Sequence, residues 1–328
     1  MDQNVSIIVP VKNGEQNIEN CLNAIFKQTV DPLEVIIVDG YSTDRTIEIV
    51  KKFPVKIFYE DYGTVGGARR VGVENSTGTY AAFTDSDCIP KLDWLENLIK
   101  EFNEDIVGVG GATINIGNGV WKKSIALALD SFLGSANSVQ DRAIKRKKQV
   151  KSISGCNCSY RRFDLLRVGN FNQNLAFNED TELNKRLLKI GKILYTPNSI
   201  VYHHQDRGLR EFFKRIFLFG QGRAINKLID LQIAPPILAL LTLISLFVSL
   251  KAFEFMMLTY IAILLFFDIV IFFKHRKIIY LFSVPVVFII EHLAYTLGFW
   301  KGILKRNFSG YIRADQSTQS SYKFSKIK

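Results

Sequence analysis

The chain has 328 residues, with 42 Lys or Arg against 31 Asp or Glu, a net charge of +11 and 48% hydrophobic residues. That apolar content excludes a disordered chain, and four cysteines in this length exclude a disulfide scaffold. The charge is uneven: residues 233–328 hold 11 basic and 4 acidic residues and three long apolar stretches, whereas residues 1–232 hold 31 basic and 27 acidic. This division predicts a globular domain followed by a membrane segment.

The opening Met1-Asp-Gln-Asn is polar and acidic and the apolar run after it is short, so no secretory leader is expected and the N-terminal domain is placed in the cytosol. Reduced thiols are then expected at Cys21, Cys88, Cys156 and Cys158. Cys156 and Cys158 have no second cysteine pair to complete a zinc set, which favours buried free thiols. Val5–Val9 is a β-branched run ending at Pro10 and reads as a buried strand. Glu15–Gln28 puts Ile18, Leu22, Ile25 and Phe26 on one helical face. Strands at Val35–Val38, Val55–Tyr59 and Tyr80–Phe83 follow, separated by helices over Thr43–Lys52 and Gly66–Asn75. This alternation predicts an α/β domain with a mainly parallel sheet covered on both faces.

Beyond it, Trp94–Phe102 reads as a helix, Glu182–Ile190 as another, and Lys192–Tyr195 and Ile200–Tyr202 as strand-like, within a region, 107–205, that is less regular. Arg142–Lys151 carries six positive charges in ten residues and suits either a solvated loop or a phosphate-binding patch. Residues 209–232 mix aromatic and basic side chains, as an interfacial helix on a bilayer would. Stretches 233–250, 252–273 and 278–300 are each long enough to cross a bilayer of roughly 30 Å at about 1.5 Å per residue. Glu291-His292 interrupts the third, and Lys301, Lys305, Arg306 and Arg313 follow it, so two or three spans fit within 233–304, with a basic polar tail over 305–328.

Ligands of such sheets bind beyond the carboxyl ends of the strands. There the chain places Pro10-Val-Lys-Asn-Gly-Glu15, Asp39-Gly-Tyr-Ser-Thr-Asp44 and Asp85-Ser-Asp87. No G-x-G-x-x-G follows the first strand and no phosphate-cradling G-x-x-x-x-G-K-[ST] occurs, so phosphates must be held otherwise. Two carboxylates one residue apart at a strand end can share a hard divalent cation, Mn2+ or Mg2+, with a diphosphate.

The order and spacing of these blocks resemble the family-2 inverting glycosyltransferases with the A-type, Rossmann-like nucleotide-sugar fold. Val5–Glu15 resembles the family's first strand and its P-x-x-N-x-E turn, and Glu34–Thr46 its V-D-D-G-S-T-D-x-T segment. Gly67-Ala-Arg-Arg-Val-Gly with Gly78–Asp87 resembles its A-R-N and D-x-D block. Gly155–Arg162, Gly169–Phe171 and Asn178–Arg186 resemble its acceptor-side blocks. The match covers roughly residues 4–222, and the anchored layout resembles the succinoglycan-synthesis branch. It implies a cytosolic catalytic domain over 1–208, an interfacial segment over 209–232 and a multi-pass anchor in the cell membrane.

The resemblance also implies roles. Asp39 would meet the nucleotide base, with Pro10, Asn13 and Glu15 lining the same pocket, although Gly40 and Tyr41 stand where the family has Asp-Gly. Arg69 or Arg70 would neutralise phosphate or pair with Asp85. Asp85 would meet the ribose of the nucleotide-sugar or the metal, and Asp87 the metal itself, its shell completed by His203. Asp180 would be the catalytic base, oriented by Glu179; a carboxylate pair that merely caps the following helix is the structural alternative. The implied reaction moves sugar from a UDP- or GDP-sugar to a hydroxyl of a lipid-linked glycan or surface polysaccharide. A polyprenyl-phosphate glycosyl synthase, whose acceptor is polyprenyl phosphate itself, is the alternative. No nucleic-acid partner is expected.

Overall fold

The computed structural model describes residues 4–140, 142–204 and 208–308, with side chains to 305; the rest of the expected basic tail, 309–328, lies outside the described residues. Strands β1 (Val5–Val11), β2 (Glu34–Asp39), β3 (Lys56–Tyr59) and β4 (Tyr80–Thr84) alternate with helices α1 (Ile18–Ile25), α2 (Thr46–Val50) and α3 (Val65–Glu74). Then come β5 (Cys88–Pro90), α4 (Trp94–Ile99), β6 (Ile106–Ile116), α5 (Val120–Asp130), α6 (Phe132–Ser135), β7 (Lys148–Gln149), β8 (Asn157–Arg161), α7 (Arg162–Arg167), α8 (Glu179–Leu187) and β9 (Lys192–His204). Helices α9 (Leu209–Ile225), α10 (Ala234–Val248), α11 (Leu250–His275) and α12 (Tyr280–Phe308) complete the described chain.

The strands form one nine-stranded mixed sheet in the order β3-β2-β1-β4-β8-β6-β9-β5, with β7 on β9. β1 pairs in parallel with β2 and β4, and β2 with β3, as the alternation predicts. β8 then joins β4 antiparallel. Every residue of β1 is buried, because helices cover both faces. Its period-two alternation sorts the core: Ile7 and Val9 pack with Ile18, Leu22 and Ile25 of α1, and Ile8 packs on the other face with Ala68 and Val73 of α3.

Sequence patterning misses β6 and β8. β6 contains Gly108, Gly110 and Gly111, which weaken strand propensity, yet Tyr160 and Ile153 fill the space over the first two. β8 is Asn157-Cys-Ser-Tyr-Arg161, polar but buried at its first four positions. Its Asn157 is satisfied internally by Trp94 Nε1, which donates to Oδ1 at 2.8 Å, and by the Ala112 carbonyl, which accepts from Nδ2 at 2.8 Å. The basic stretch 142–151 is partly tied down. Lys148 and Gln149 pair with Tyr195 and Leu194, and Lys147 forms an ion pair with Glu101.

The described residues form two compact units. The first holds the sheet and comprises residues up to 115 and 139–204. The second comprises 116–138 and 208–308, and is helical. Within it, Leu231–Val248, Leu250–His275 and Tyr280–Lys305 are long and apolar enough to cross a membrane. α5 packs on α12, where Ser124 and Ser283 hydroxyls hydrogen-bond at 2.7 Å. α9 packs along α12 at very close range, since Gly298 and Gly302 of α12 lie against the backbone of Phe217 and Gln221. Small residues four apart permit this backbone approach.

Candidate active site

The carboxyl end of the parallel strands carries the first group of expected site residues. Register sets Pro10 beside Val38 and Val11 beside Asp39. The loops that follow are zipped together. Asn13 N–H donates to Ser42 Oγ at 2.8 Å, and Asn13 Oδ1 accepts from Thr43 N–H at 2.8 Å. Glu15 Oε2 accepts from Arg45 N–H at 3.1 Å. Asp39 is fully buried, and its two oxygens accept from Ser42 N–H at 2.9 Å and Ser42 Oγ at 2.6 Å. Burial pushes its pKa up, against the opposing pull of those two bonds. Pro10, Asn13, Glu15 and Asp39 are thus brought together, with the Asn13 and Glu15 side chains holding one loop to the other.

Tyr41 occupies the left-handed region, with φ 59°. For a non-glycine residue this costs roughly 1–3 kcal/mol, so neighbours must hold it. They do: its hydroxyl donates to Asp61 Oδ1 at 2.6 Å and its ring stacks on Tyr59 at 5.4 Å. Beside them, at the end of β3, Glu60 is fully buried and its Oε2 accepts from Tyr62 and Gly63 N–H at 2.8 and 3.1 Å. Burial pushes its carboxyl up to about 7, against those bonds.

The second group is organised by Arg69 of α3, which is 3% exposed. Its Nη2 donates to Asp85 Oδ1 at 2.8 Å, and its Nη1 donates to Glu179 Oε1. Burial alone would lower its pKa; the carboxylates of Asp85, Glu179 and Asp180 more than reverse that. At Glu179, burial pushes the carboxyl up and Arg69 opposes it. Arg70, the other candidate at this motif, faces away, donating to the Gly169 and Phe171 carbonyls at 3.2 Å each. Gly155 leaves the room that the Arg69 guanidinium fills.

Asp180 is the second residue of α8, whose first turn holds Glu179, Asp180 and Glu182, favourable at a helix N-terminus. Its Oδ2 accepts from Gly155 N–H at 3.1 Å and Gln140 Nε2 at 3.0 Å, and its Oδ1 from Thr181 N–H at 2.6 Å. The carboxylate is half-buried and oriented from two distant segments.

Asp85 and Asp87 follow β4, in a turn closed by Cys88 N–H donating to the Asp85 carbonyl at 3.0 Å. His203 lies directly across from Cys88 in the β5–β9 pair. Its Nε2 is 3.3 Å from Asp87 Oδ2 and its Nδ1 is 3.0 Å from Asn115 Oδ1. A proton on Nδ1, donated to Asn115 Oδ1, is the tautomer that would leave Nε2 for a cation shared with Asp87. A carboxylate oxygen and an imidazole nitrogen facing at this distance fit a shared divalent cation, with Asp85 two residues away.

Sequence reasoning missed Asn115, Gln140, Glu60 and Cys88. Cys88 stands next to the paired acids and was readable there. Gln140 and Asn115 had no local signal, because their partners lie 40 and 88 residues away.

A family model described as Glycosyl transferase family 2 matches residues 6–169. The chain is similar to Glycosyltransferase AglE of Haloferax volcanii, with 32% identity over 231 residues, 67% of this chain and 72% of that protein. It is also similar to a Methanococcus voltae protein described as dolichyl N-acetyl-alpha-D-glucosaminyl phosphate 3-beta-D-2,3-diacetamido-2,3-dideoxy-beta-D-glucuronosyltransferase. There the identity is 24% over 326 residues, 92% of this chain and 98% of that protein. Among solved structures, the mannosyltransferase PcManGT from Pyrobaculum calidifontis, in complex with GDP-Man and Mn2+, aligns with a TM-score of 0.61. The alignment covers 92% of this chain and 87% of that one at 17% identity, a likeness of fold.

Proposed function

The chain belongs to glycosyl transferase family 2, and we propose that it is a membrane-anchored, inverting, metal-dependent member. It moves a sugar from a UDP- or GDP-sugar to a hydroxyl of a lipid-linked glycan, in the manner of the succinoglycan-synthesis branch. Residues 1–208 act in the cytosol; 209–232 lie at the membrane surface and the three apolar helices anchor the enzyme in the cell membrane.

One observation carries this reading. Arg69 ties Asp85 of the nucleotide side to Glu179, the chain neighbour of Asp180, so one donor-side acid and the turn that carries the proposed base share one buried cation. Asp180 takes the proton from the acceptor hydroxyl as that oxygen attacks the anomeric carbon. A single displacement inverts the centre through an oxocarbenium-like state and needs no nucleophilic carboxylate. Gly155 and Gln140 fix the orientation of Asp180; Glu179 acts by positioning Arg69. Asp87 and His203, with Asp85, would hold Mn2+ or Mg2+, which when bound neutralises the leaving diphosphate. Asp39 receives the base, and Pro10, Asn13 and Glu15 shape its pocket. The Methanococcus voltae relative, whose description names a lipid-phosphate-linked sugar acceptor, supports a hydroxyl acceptor over polyprenyl phosphate itself.

A thermal-shift panel with UDP, GDP, CDP and dTDP, with and without Mn2+ or Mg2+, tests the donor half. A ligand that binds only the folded state raises the midpoint. One nucleotide is expected to raise it in a metal-dependent way, and Asp87→Ala to remove that shift. A nucleotide shift that needs no metal and survives Asp87→Ala would overturn it.

A further inference from the structure

We propose that Asp87, Cys88 and His203 form a binding site for a thiophilic divalent cation of the zinc class, using a sulfur ligand that Mn2+ and Mg2+ do not use. The β5–β9 register creates it. Cys88 and His203 are direct antiparallel partners, and directly opposed residues project on one face with Cβ atoms about 4.5–5.5 Å apart. Asp87 precedes Cys88 and reaches the same space from the turn. The carboxylate, thiol and imidazole ligand atoms all lie within 4.8 Å of one another. Asp87 Oδ2 is 3.3 Å from His203 Nε2, and Asp87 Oδ1 is 3.8 Å from Cys88 Sγ.

The 3.3 Å between Asp87 Oδ2 and His203 Nε2 matches one edge of a small tetrahedral site, and the Cys88 sulfur lies within 4.8 Å of the other two ligand atoms. Ligand distances of about 2.0–2.3 Å from zinc put neighbouring ligands roughly 3.3–3.8 Å apart, and a set of one sulfur, one nitrogen and one oxygen leaves a fourth position for water. The chemistry discriminates between metals. Hard Mn2+ and Mg2+ take oxygen ligands, whereas a thiolate selects softer ions. Cys88 is fully buried and His203 is 5% exposed, so the ion enters past Asp87, whose side chain is 30% exposed. On binding, the Cys88 thiol gives its proton to solvent and the sulfur becomes a thiolate ligand. The Nδ1 contact to Asn115 Oδ1 leaves Nε2 as the imidazole ligand atom when Nδ1 carries the proton. The consequence for catalysis rests on the donor-site reading above: an ion bound through Cys88 occupies Asp87 and His203 and competes with the donor metal.

The test uses the full chain purified in detergent, with Co2+ as the spectroscopic probe. A thiolate-to-cobalt charge-transfer band in the near ultraviolet is expected, displaced by Zn2+. Cys88→Ser should lose the band while Cys156→Ser keeps it, both variants melting cooperatively. Zn2+ should inhibit Mn2+-supported transfer, and Cys88→Ser should raise the zinc required by at least about tenfold. No band in the unaltered protein, or a band that survives in Cys88→Ser, overturns the proposal. The two readings fail separately. A band without any nucleotide shift would contradict the donor site and leave this metal site standing; a metal-dependent nucleotide shift without a band would do the reverse.

Discussion

The guanidinium of Arg69 fills the space into which a side chain at Gly155 would have to grow, and the backbone N–H of that same glycine donates to Asp180. One methyl group at position 155 therefore disturbs both halves of the network. Gly155→Ala should displace Arg69 from Asp85 and Glu179 and turn Asp180. Small misplacements at a reacting centre cost about 10²-fold in rate, so kcat should fall by that order while the protein still melts cooperatively. A kcat within twofold of the unaltered enzyme would show that the network is not coupled to turnover.

Glu60 supplies a pH dependence with a defined sign. Its carboxyl, ordinarily near 4.5, is pushed up to about 7 by burial. The folded state therefore holds the proton longer than the unfolded state, and stability falls as pH rises from about 4.5 to about 7, staying lowered above. Glu60→Gln removes the titration and keeps an acceptor for the Tyr62 and Gly63 N–H groups. The variant should melt higher than the unaltered protein at pH 8, and the difference should vanish at pH 4.5. Parallel melting curves across that range would contradict the assignment.

The parallel half of the sheet and its acids were legible in the sequence because β1, β2 and β4 are short apolar runs that stop at Pro10, Asp39 and Asp85. A strand buried on both faces leaves a continuous apolar signature, and the polar residue that ends it marks the ligand edge. The antiparallel half was not legible. β6 is rich in glycine and β8 in polar groups; both are strands because Tyr160 and Ile153 pack over the glycines of β6 and Asn157 of β8 bonds to the Ala112 carbonyl of β6. The role of Gln140 beside Asp180 depends on chain segments meeting from afar, which no local spacing encodes.

In the helical unit, Gly298 rests on the Phe217 backbone. A larger side chain there meets main chain, which cannot yield by changing rotamer. Gly298→Leu should destabilise the packing of α9 on α12 by at least about 2 kcal/mol, in the upper range for overpacking. Leu293→Ala, at a position 51% exposed, should change little. Chemical denaturation in detergent, followed by α-helical circular dichroism, reads the difference. Equal midpoints for the two variants would contradict the close crossing.

The central claim is that Asp180 removes the proton from an acceptor hydroxyl. The most direct measurement is single-turnover transfer by Asp180→Asn, with nucleotide binding measured in parallel. Asn keeps the size and one acceptor oxygen, loses the other to an NH2 group, and loses the basicity. A positioned base contributes about 10²–10⁴-fold, so transfer to a hydroxyl acceptor should fall by that factor while the metal-dependent nucleotide shift persists. Undiminished transfer to polyprenyl phosphate in the same variant would assign the enzyme to lipid-phosphate acceptors, and undiminished transfer to a hydroxyl acceptor would contradict the mechanism.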